Sequence, residues 1–376
     1  MTPAGQHAGR ATLLVLVGAA GCLLVIAAVL AVTKESSEAS AESLVAEVVE
    51  AGAPGVLLLV RDDGSTRTTV RGDADRERGR SVRAADRFRV GSVTKTFVAT
   101  IVLQLVAEHR LRLDDTVEKW LPDLVPDGRR ITLRNLLAHT SGLYDYVDDP
   151  RVFAPYAQRP TYSWSPRRLV AIAVAHPPAF PPGRGYGYSS TNYLLLGLIV
   201  ESATRVSLAQ ELRARVFEPL RLRHTTFSPR LVSGPYMHGH RAPSHQGVVT
   251  GPPRDTSREA ATWTWAAGAI VSSAEDIRGF FAALLGGKLL PARLLEEMET
   301  LVPAGNLRYG LGLAAFPTPC GDAWGHTGNA QGTITVAWNR KDASRQVVLV
   351  VNTYPLSGQL EAAVRRLQIA AFCDEG

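Results

Sequence analysis

Apolar and polar residues follow two different rhythms at the start of the folded part of this chain. A stretch at 42–50 places its apolar residues on one side of a helix. The pattern then changes to short extended runs at 56–61 and 66–72, which flank turn-forming residues at 62–65. The sequence therefore predicts a helix followed by a β-hairpin.

Helical patterns dominate the middle of the chain, and strand patterns return near its end. The predicted helices cover 94–110, 132–138, 165–175, 193–203, 208–217, 273–285 and 358–372. The late predicted strands cover 268–272, 309–315, 332–339 and 346–352. Strands at both ends around a helical middle predict an α/β plus all-α fold. In it, an antiparallel sheet flanked by helices is built from both ends of the chain, with a helical domain inserted.

The N-terminal segment carries a separate signal. Residues 12–32 contain no charge and would form a helix of about 31 Å, close to the thickness of a bilayer core. Arg10 precedes this run and no excess of positive charge follows it, which predicts a cytoplasmic N-terminus and places the rest of the chain outside the cell. The alternative is a secreted protein whose signal peptide is cleaved at Ala39-Ser40-Ala41.

These signals divide the chain into predicted parts. The parts are a cytoplasmic tail at 1–11, a transmembrane anchor or signal at 12–32, a linker at 33–41 and one large folded domain at 42–376. Within that domain the α/β part is placed at 42–95 and about 250–376, and the helical part at about 96–249.

Charge and cysteine usage narrow the possible partners and the compartment. The net charge is +6, but the basic residues are scattered without aromatic interleaving, so no nucleic-acid partner is predicted. Cys320 and Cys373 are the two cysteines outside the apolar run, and an exported pair is predicted to form a disulfide. Two unpaired buried thiols are the alternative. His238 and His240 have no cysteine or carboxylate at ligand spacing, so no metal is predicted.

Candidate chemistry begins at Ser92-Val93-Thr94-Lys95. A serine three residues before a lysine, at the start of an apolar helix, shares one helical face with it. A serine hydroxyl needs a nearby base, and burial lowers the pKa of a lysine enough to provide one. Tyr188, in Tyr188-Ser189-Ser190, is a second candidate base if a positive neighbour such as Lys95 lowers its pKa from about 10.

A third motif runs from Trp324 to Gly332 and includes His326-Thr327-Gly328-Asn329. It lies where an edge strand is predicted to begin, and its small residues permit close backbone approach. An edge strand offers backbone N–H groups to an acyl oxygen. With the N–H of Ser92, this motif is therefore predicted to form an oxyanion hole.

Together the three motifs resemble the serine β-lactamase and D-alanyl-D-alanine peptidase group, specifically its class C β-lactamase and Streptomyces-type carboxypeptidase branch. The phrases at 131–142 and 188–197 extend the similarity over roughly residues 42–373. The resemblance implies a β-lactamase/transpeptidase-like fold in which Ser92 becomes acylated, Lys95 holds the proton network and Tyr188 relays protons to the leaving group.

The resemblance also assigns the surroundings of the nucleophile. It implies an oxyanion hole formed by the backbone N–H groups of Ser92 and Asn329, and it requires no metal or organic cofactor. The residues implied to bind substrate are Ser190, His326, Thr327 and Gly328.

Two departures from the family pattern bear on specificity. Ser190 stands where relatives often have an asparagine, and its hydroxyl reaches less far. Ala314 and Asn329 stand where the similar carboxypeptidase has an arginine and a threonine that bind the terminal carboxylate of the substrate. Capture of that carboxylate by arginine is therefore lost at this point.

The sequence thus predicts an exported serine hydrolase that forms a covalent acyl-enzyme on Ser92. A D-alanyl-D-alanine carboxypeptidase or a β-lactamase-related hydrolase is the leading interpretation, with a small-molecule or cell-wall peptide substrate. The alternatives are an esterase, a D-aminopeptidase-like hydrolase, or a penicillin-binding sensor that is acylated and does not turn over.

Overall fold

A computed structural model describes residues 41–245 and 248–373 of the chain. The predicted tail at 1–11 and the predicted anchor or signal at 12–32 lie outside these residues. Among the helices that are described, none combines the length and apolar character needed to cross a bilayer.

Helices and strands follow one another along the chain as the hydrophobic pattern indicates. The helices are α1 (41–50), α2 (Thr94–Ala107), α3 (Val117–Trp120), α4 (Leu133–Leu137), α5 (Pro166–Val174), α6 (Thr191–Thr204), α7 (Leu208–Leu212), α8 (Ala274–Leu285), α9 (Ala292–Met298) and α10 (Gly358–Cys373). The strands up to residue 255 are β1 (Gly55–Asp62), β2 (Ser65–Asp75), β3 (Arg80–Ser81), β4 (Arg87–Arg89), β5 (Thr226–Phe227), β6 (His240–Arg241), β7 (Ser244–His245), β8 (Val248–Val249) and β9 (Arg254–Asp255). The later strands are β10 (Ile270–Ser273), β11 (Val302–Ala304), β12 (Leu307–Tyr309), β13 (Ala314–Thr318), β14 (Gly321–Ala330), β15 (Thr333–Asn339), β16 (Arg345–Val351) and β17 (Thr353–Tyr354).

Both ends of the chain contribute to the main sheet. Within the described ranges its strand order is β11-β12-β13-β14-β15-β16-β1-β2-β3, and neighbouring strands are antiparallel. The N-terminal and C-terminal contributions meet where β1 pairs with β16, with Val56 opposite Val351. The predicted fold class, an antiparallel sheet built from both ends and flanked by helices, is confirmed.

Strand β1 shows how one short apolar run supports both faces of this sheet. Successive side chains of a strand point to opposite faces. Leu57 and Leu59 therefore pack in the larger core with the helices of the middle of the chain. Val56 and Leu58 pack in a second core with α1 and α10. The sheet is consequently covered by helices on both faces.

The strand predicted over 309–315 is wrong, because a turn divides it. Strand β12 ends at Tyr309 and β13 begins at Ala314. Gly312 in the turn has a φ of +80°, and a Cβ there would lie 2.4 Å from the Cβ of Ala99 on α2. The apolar pattern thus hides a turn that requires glycine and that packs against α2.

Most of the third motif lies on β14, a strand that is interior in the order of the sheet although an edge strand was predicted. Pairing with β13 covers 321–325 and ends where Ala314 faces Gly325. Pairing with β15 covers 324–330. Residues 326–330 therefore have a paired neighbour on one side only, and the segment that carries Ser92 approaches them there.

A disulfide joins Cys320, in the turn between β13 and β14, to Cys373 at the end of α10. It links the C-terminal helix to the sheet. The two cysteines lie 53 residues apart in the sequence.

Candidate active site

Ser92 lies in a short 3₁₀ turn, Gly91–Val93, that leads from β4 into α2. Gly91 has a φ of +54°, and a Cβ there would lie 2.6 Å from the backbone nitrogen of Asn329. Only glycine therefore permits this backbone to approach β14 so closely. The approach fixes Ser92 beside the third motif.

Lys95 lies one helical turn from the serine and is almost fully buried. Its Nζ donates hydrogen bonds to Ser92 Oγ at 3.0 Å and to the carbonyl oxygen of Ala267 at 3.0 Å. Burial lowers the pKa of Lys95 to about 7, and the negative charge of Asp145 partly opposes this shift. A large fraction of the amine is therefore neutral near pH 7 and can accept the proton of Ser92.

Tyr188 lies beside Ser92 and Lys95, but its pKa differs from the sequence-based prediction. Its hydroxyl hydrogen-bonds to Ser92, and its ring centre lies 4.9 Å from Lys95 Nζ. The side chain remains 40% exposed to the cleft, yet burial of the hydroxyl raises its pKa well above 10. The condition set for a tyrosine base, a lowered pKa, is not met, and the hydroxyl of Tyr188 stays protonated at neutral pH.

The backbone of Gly328 and Asn329 packs directly on the Ser92 turn. A Cβ on Gly328 would lie 2.0 Å from the carbonyl oxygen of Val90 and 2.8 Å from the backbone nitrogen of Ser92. The structure thus brings the backbone of Ser92 and that of Asn329 side by side, and both residues line the same cleft. The predicted oxyanion hole would take its two N–H donors from these residues.

Three of the four residues expected to bind substrate do not line this cleft. Of Ser190, His326, Thr327 and Gly328, the lining includes Ser190 alone. His326 is buried, with Nε2 2.9 Å from the hydroxyl of Tyr309, and it lies close enough to Lys95 for that charge to contribute to its lowered pKa. Burial lowers its pKa to about 3, so it is a neutral core histidine. That His326 faces the substrate stays a prediction.

The cleft beside Ser92 has a volume of about 510 Å³. Aromatic residues in its wall include Tyr146, Phe153 and Trp263. Arg241 also lines it and forms a salt bridge of 2.9 Å with Glu259.

Asp145, which sequence reasoning missed, contributes a carboxylate to the cleft. It accepts hydrogen bonds from the backbone N–H groups of Ser190 and Val147, and no salt bridge to it is found among the described residues. Burial raises its pKa, and Lys95 opposes that shift. The available sequence signal is its position three residues after the phrase at 131–142.

A second polar cluster corrects the reasoning about His238. The fold places Asp75 and Asp255 beside it, so that one ligand atom from each residue lies within 4.8 Å of the others. Their contacts are internal, because His238 is 2.9 Å from Asp255 and Asp75 is 2.8 Å from Arg78. These pairings account for the cluster as an ion-pair network.

Comparisons with known proteins agree with this geometry. A family model described as Beta-lactamase matches residues 41–371. "Putative penicillin-binding protein PbpX" of Bacillus subtilis (strain 168) is 29% identical over 269 residues, or 71% of this chain and 63% of that protein. Esterase EstB of Burkholderia gladioli is 37% identical over 196 residues, or 46% of this chain and 47% of that protein. The chain thus matches less than two thirds of the length of either relative.

A solved structure gives a fuller match. The D-stereospecific amidohydrolase from a Streptomyces species is 36% identical, with a TM-score of 0.77. The alignment covers 84% of this chain and 94% of that one.

Proposed function

The chain belongs to the Beta-lactamase family, as its motifs predicted, and from this premise we propose that it is a serine hydrolase that is acylated on Ser92. The observation that carries the proposal is the 3.0 Å contact between Lys95 Nζ and Ser92 Oγ. Because Lys95 has a pKa of about 7, its amine is a usable base at neutral pH.

Acylation begins when Ser92 Oγ bonds to the carbonyl carbon and its proton passes to Lys95. The carbonyl oxygen becomes an oxyanion and receives hydrogen bonds from the backbone N–H groups of Ser92 and Asn329. When the intermediate collapses, the bond to the leaving group breaks and the leaving group takes a proton from Tyr188. The proton held by Lys95 then restores the Tyr188 hydroxyl.

Deacylation reverses these roles with water as the nucleophile. A water molecule bonds to the acyl carbon while its proton passes to Lys95 or through Tyr188. The bond from the acyl carbon to Ser92 Oγ then breaks, and Oγ recovers a proton. The products are the carboxylic acid and the free enzyme.

The charges of the cleft favour a substrate with a free amino group. Asp145 presents a carboxylate close enough to Lys95 to influence its pKa, so it is available to an ammonium group near the scissile bond. Ala314 leaves no cation where the similar carboxypeptidase binds a terminal carboxylate. We therefore propose amides and short peptides of D-amino acids as substrates, and the similarity to the D-stereospecific amidohydrolase from a Streptomyces species supports this choice.

A D-alanyl-D-alanine carboxypeptidase is the second candidate, and Arg241 favours it. Its guanidinium lines the cleft and is available to a terminal carboxylate at a different point from Ala314. Glu259 offsets part of that charge, which is why we rank this activity second.

Export remains part of the proposal. The disulfide between Cys320 and Cys373 supports an oxidising compartment. The anchor or signal proposed at 12–32 would deliver the domain there.

The test combines a substrate panel with intact mass measurement. We expect hydrolysis of D-phenylalanine amide to exceed that of its L-enantiomer and of N-acetyl-D-phenylalanine amide, and to exceed release of D-alanine from acetyl-D-alanyl-D-alanine. Penicillin G and p-nitrophenyl acetate should add an acyl mass to the wild type and to Ser65→Ala, an exposed serine at the start of β2. Ser92→Ala should show neither adduct nor turnover.

The outcomes separate the candidates. Preference for acetyl-D-alanyl-D-alanine would establish the carboxypeptidase, and preference for the ester would establish an esterase. A stable penicillin adduct without turnover of any substrate would establish the sensor. Turnover by Ser92→Ala would refute the acyl-enzyme itself.

A further inference from the structure

We propose that His139 is a positioning residue for Tyr188, a neutral imidazole that fixes the tyrosine hydroxyl on the reacting group. This inference rests on the proposed function, because it concerns the proton that Tyr188 gives to the leaving group. His139 does not line the cleft. It contacts the ring of Tyr188 and the backbone on either side of that residue.

His139 holds the backbone on both sides of Tyr188 by hydrogen bonds. The N–H of Gly187 donates to the carbonyl oxygen of His139 at 2.9 Å. The N–H of Ser189 donates to His139 Nδ1 at 3.2 Å. The backbone of Tyr188 therefore has little freedom to shift while His139 remains in place.

The ring of His139 also supports the ring of Tyr188. The two rings are stacked, with centres 4.3 Å apart and planes inclined by 30°. Tyr309 packs on another side of the imidazole, with its ring centre 4.9 Å away and its plane inclined by 64°, and it lies 6.4 Å from the Tyr188 ring. Because His139 is fully buried, this support is rigid.

The hydrogen bonds determine which tautomer His139 adopts. Nδ1 faces two donors, the N–H of Ser189 and Asn192 Nδ2 at 3.1 Å. The Asn192 amide is oriented in turn, because its Oδ1 accepts a hydrogen bond of 2.6 Å from Ser141. Nδ1 is therefore an acceptor, and the ring proton is on Nε2. Burial and the positive charge of Lys95 keep the pKa of His139 well below 6.5, so the ring stays neutral.

Two local costs indicate that His139 is not there for stability alone. Its Nε2 is buried and has no hydrogen-bond partner among the described residues. Its φ is +56°, a region that histidine seldom occupies. A buried donor without a partner and a left-handed backbone both oppose folding, and such costs concentrate at functional sites. Here both costs occur in the residue that holds the backbone and the ring of Tyr188 in place.

The test uses the leaving group, because a positioned acid matters only when the leaving group needs a proton. The variant His139→Asn suits the left-handed φ and keeps an acceptor, but it removes the ring. We expect kcat/KM to fall about 100-fold for an amide of a D-amino acid and less than about fivefold for its p-nitrophenyl ester, in line with the contribution of a general acid. The ratio of the two rates does not depend on how much of the protein is active.

The controls address folding and shared function. His109→Asn makes the same change at an exposed histidine with a φ of +57° and should alter neither rate. Tyr188→Phe should give the same selective loss, and adding His139→Asn to it should cost little more, because both changes remove one function. His139→Phe, which keeps a ring and loses the acceptor, provides a second variant if the first does not fold.

The results are distinguishable. Equal losses on amide and ester, or no loss on either, would overturn the positioning role and leave His139 as a structural residue. Additive losses in the double variant would also overturn it. If the wild type hydrolyses neither amide nor ester, the proposed function itself has failed.

Discussion

Replacing Asp145 by asparagine should make the enzyme more active in mild acid. The substitution keeps the shape of the side chain and an oxygen that accepts the N–H groups of Ser190 and Val147. It removes the negative charge that raises the pKa of Lys95. Because loss of that charge makes the ammonium form less favourable, the pKa of Lys95 should fall below 7.

The magnitude follows from the fraction of neutral amine. With a pKa of about 7, Lys95 is about 9% neutral at pH 6 and about 91% neutral at pH 8, so kcat/KM should rise about tenfold over this range. Loss of one nearby charge should lower the pKa by about one unit. The neutral fraction at pH 6 would then be about 50%, a gain of about fivefold, while the rate at pH 8 would hardly change.

The assay measures kcat/KM for p-nitrophenyl acetate from pH 5.5 to 9, because this substrate has no ammonium group that Asp145 could bind. Asp148→Asn removes an exposed carboxylate three residues away and serves as the matched control. An acid limb that stays in place in Asp145→Asn, or moves to higher pH, would refute the assignment of Lys95 as the base influenced by this charge.

Two further predictions concern the backbone and the disulfide. Gly328→Ala should lower kcat/KM by about 10²- to 10³-fold, because the new Cβ would lie 2.0 Å from the Val90 carbonyl oxygen and displace an oxyanion donor. Gly279→Ala is the control, because its Cβ would have its nearest neighbour at 3.9 Å and should leave the rate unchanged. Equal rates in the two variants would contradict this prediction. Reduction of the disulfide between Cys320 and Cys373 should lower the free energy of unfolding by about 4 kcal/mol, the value for a 53-residue separation. Denaturant titration measures the change, with Cys320→Ser as the control. An unchanged midpoint would argue against a stabilising disulfide.

The sequence predicts best the features that depend on local geometry. Three residues of helix bring Ser92 and Lys95 together, and the measured contact of 3.0 Å needs no long-range information. The carbonyl of Ala267 is 172 residues from Lys95 in the sequence, and its contact with the amine could not be inferred from spacing. Asp145 was missed for the same reason.

The error in the strand predicted over 309–315 and the free edge of β14 at 326–330 have a related cause. Whether β14 is an edge strand depends on where its neighbour begins, and β13 begins only after the turn at Gly312. That turn is required by the approach to Ala99 on α2. An apolar pattern reports that a segment is buried, but it does not report which segment lies beside it.

Burial assigns different chemical roles to the groups around Ser92. It lowers the pKa of Lys95 to about 7, where a base is effective at neutral pH. It lowers the pKa of His326 to about 3 and that of His139 well below 6.5, which leaves both rings neutral. It raises the pKa of Tyr188, which keeps that hydroxyl protonated and able to donate. Burial favours the uncharged form of every group, and the ordinary pKa of each group decides which form that is at neutral pH. The same dehydrated site therefore contains a base in Lys95, a proton donor in Tyr188 and two neutral imidazoles.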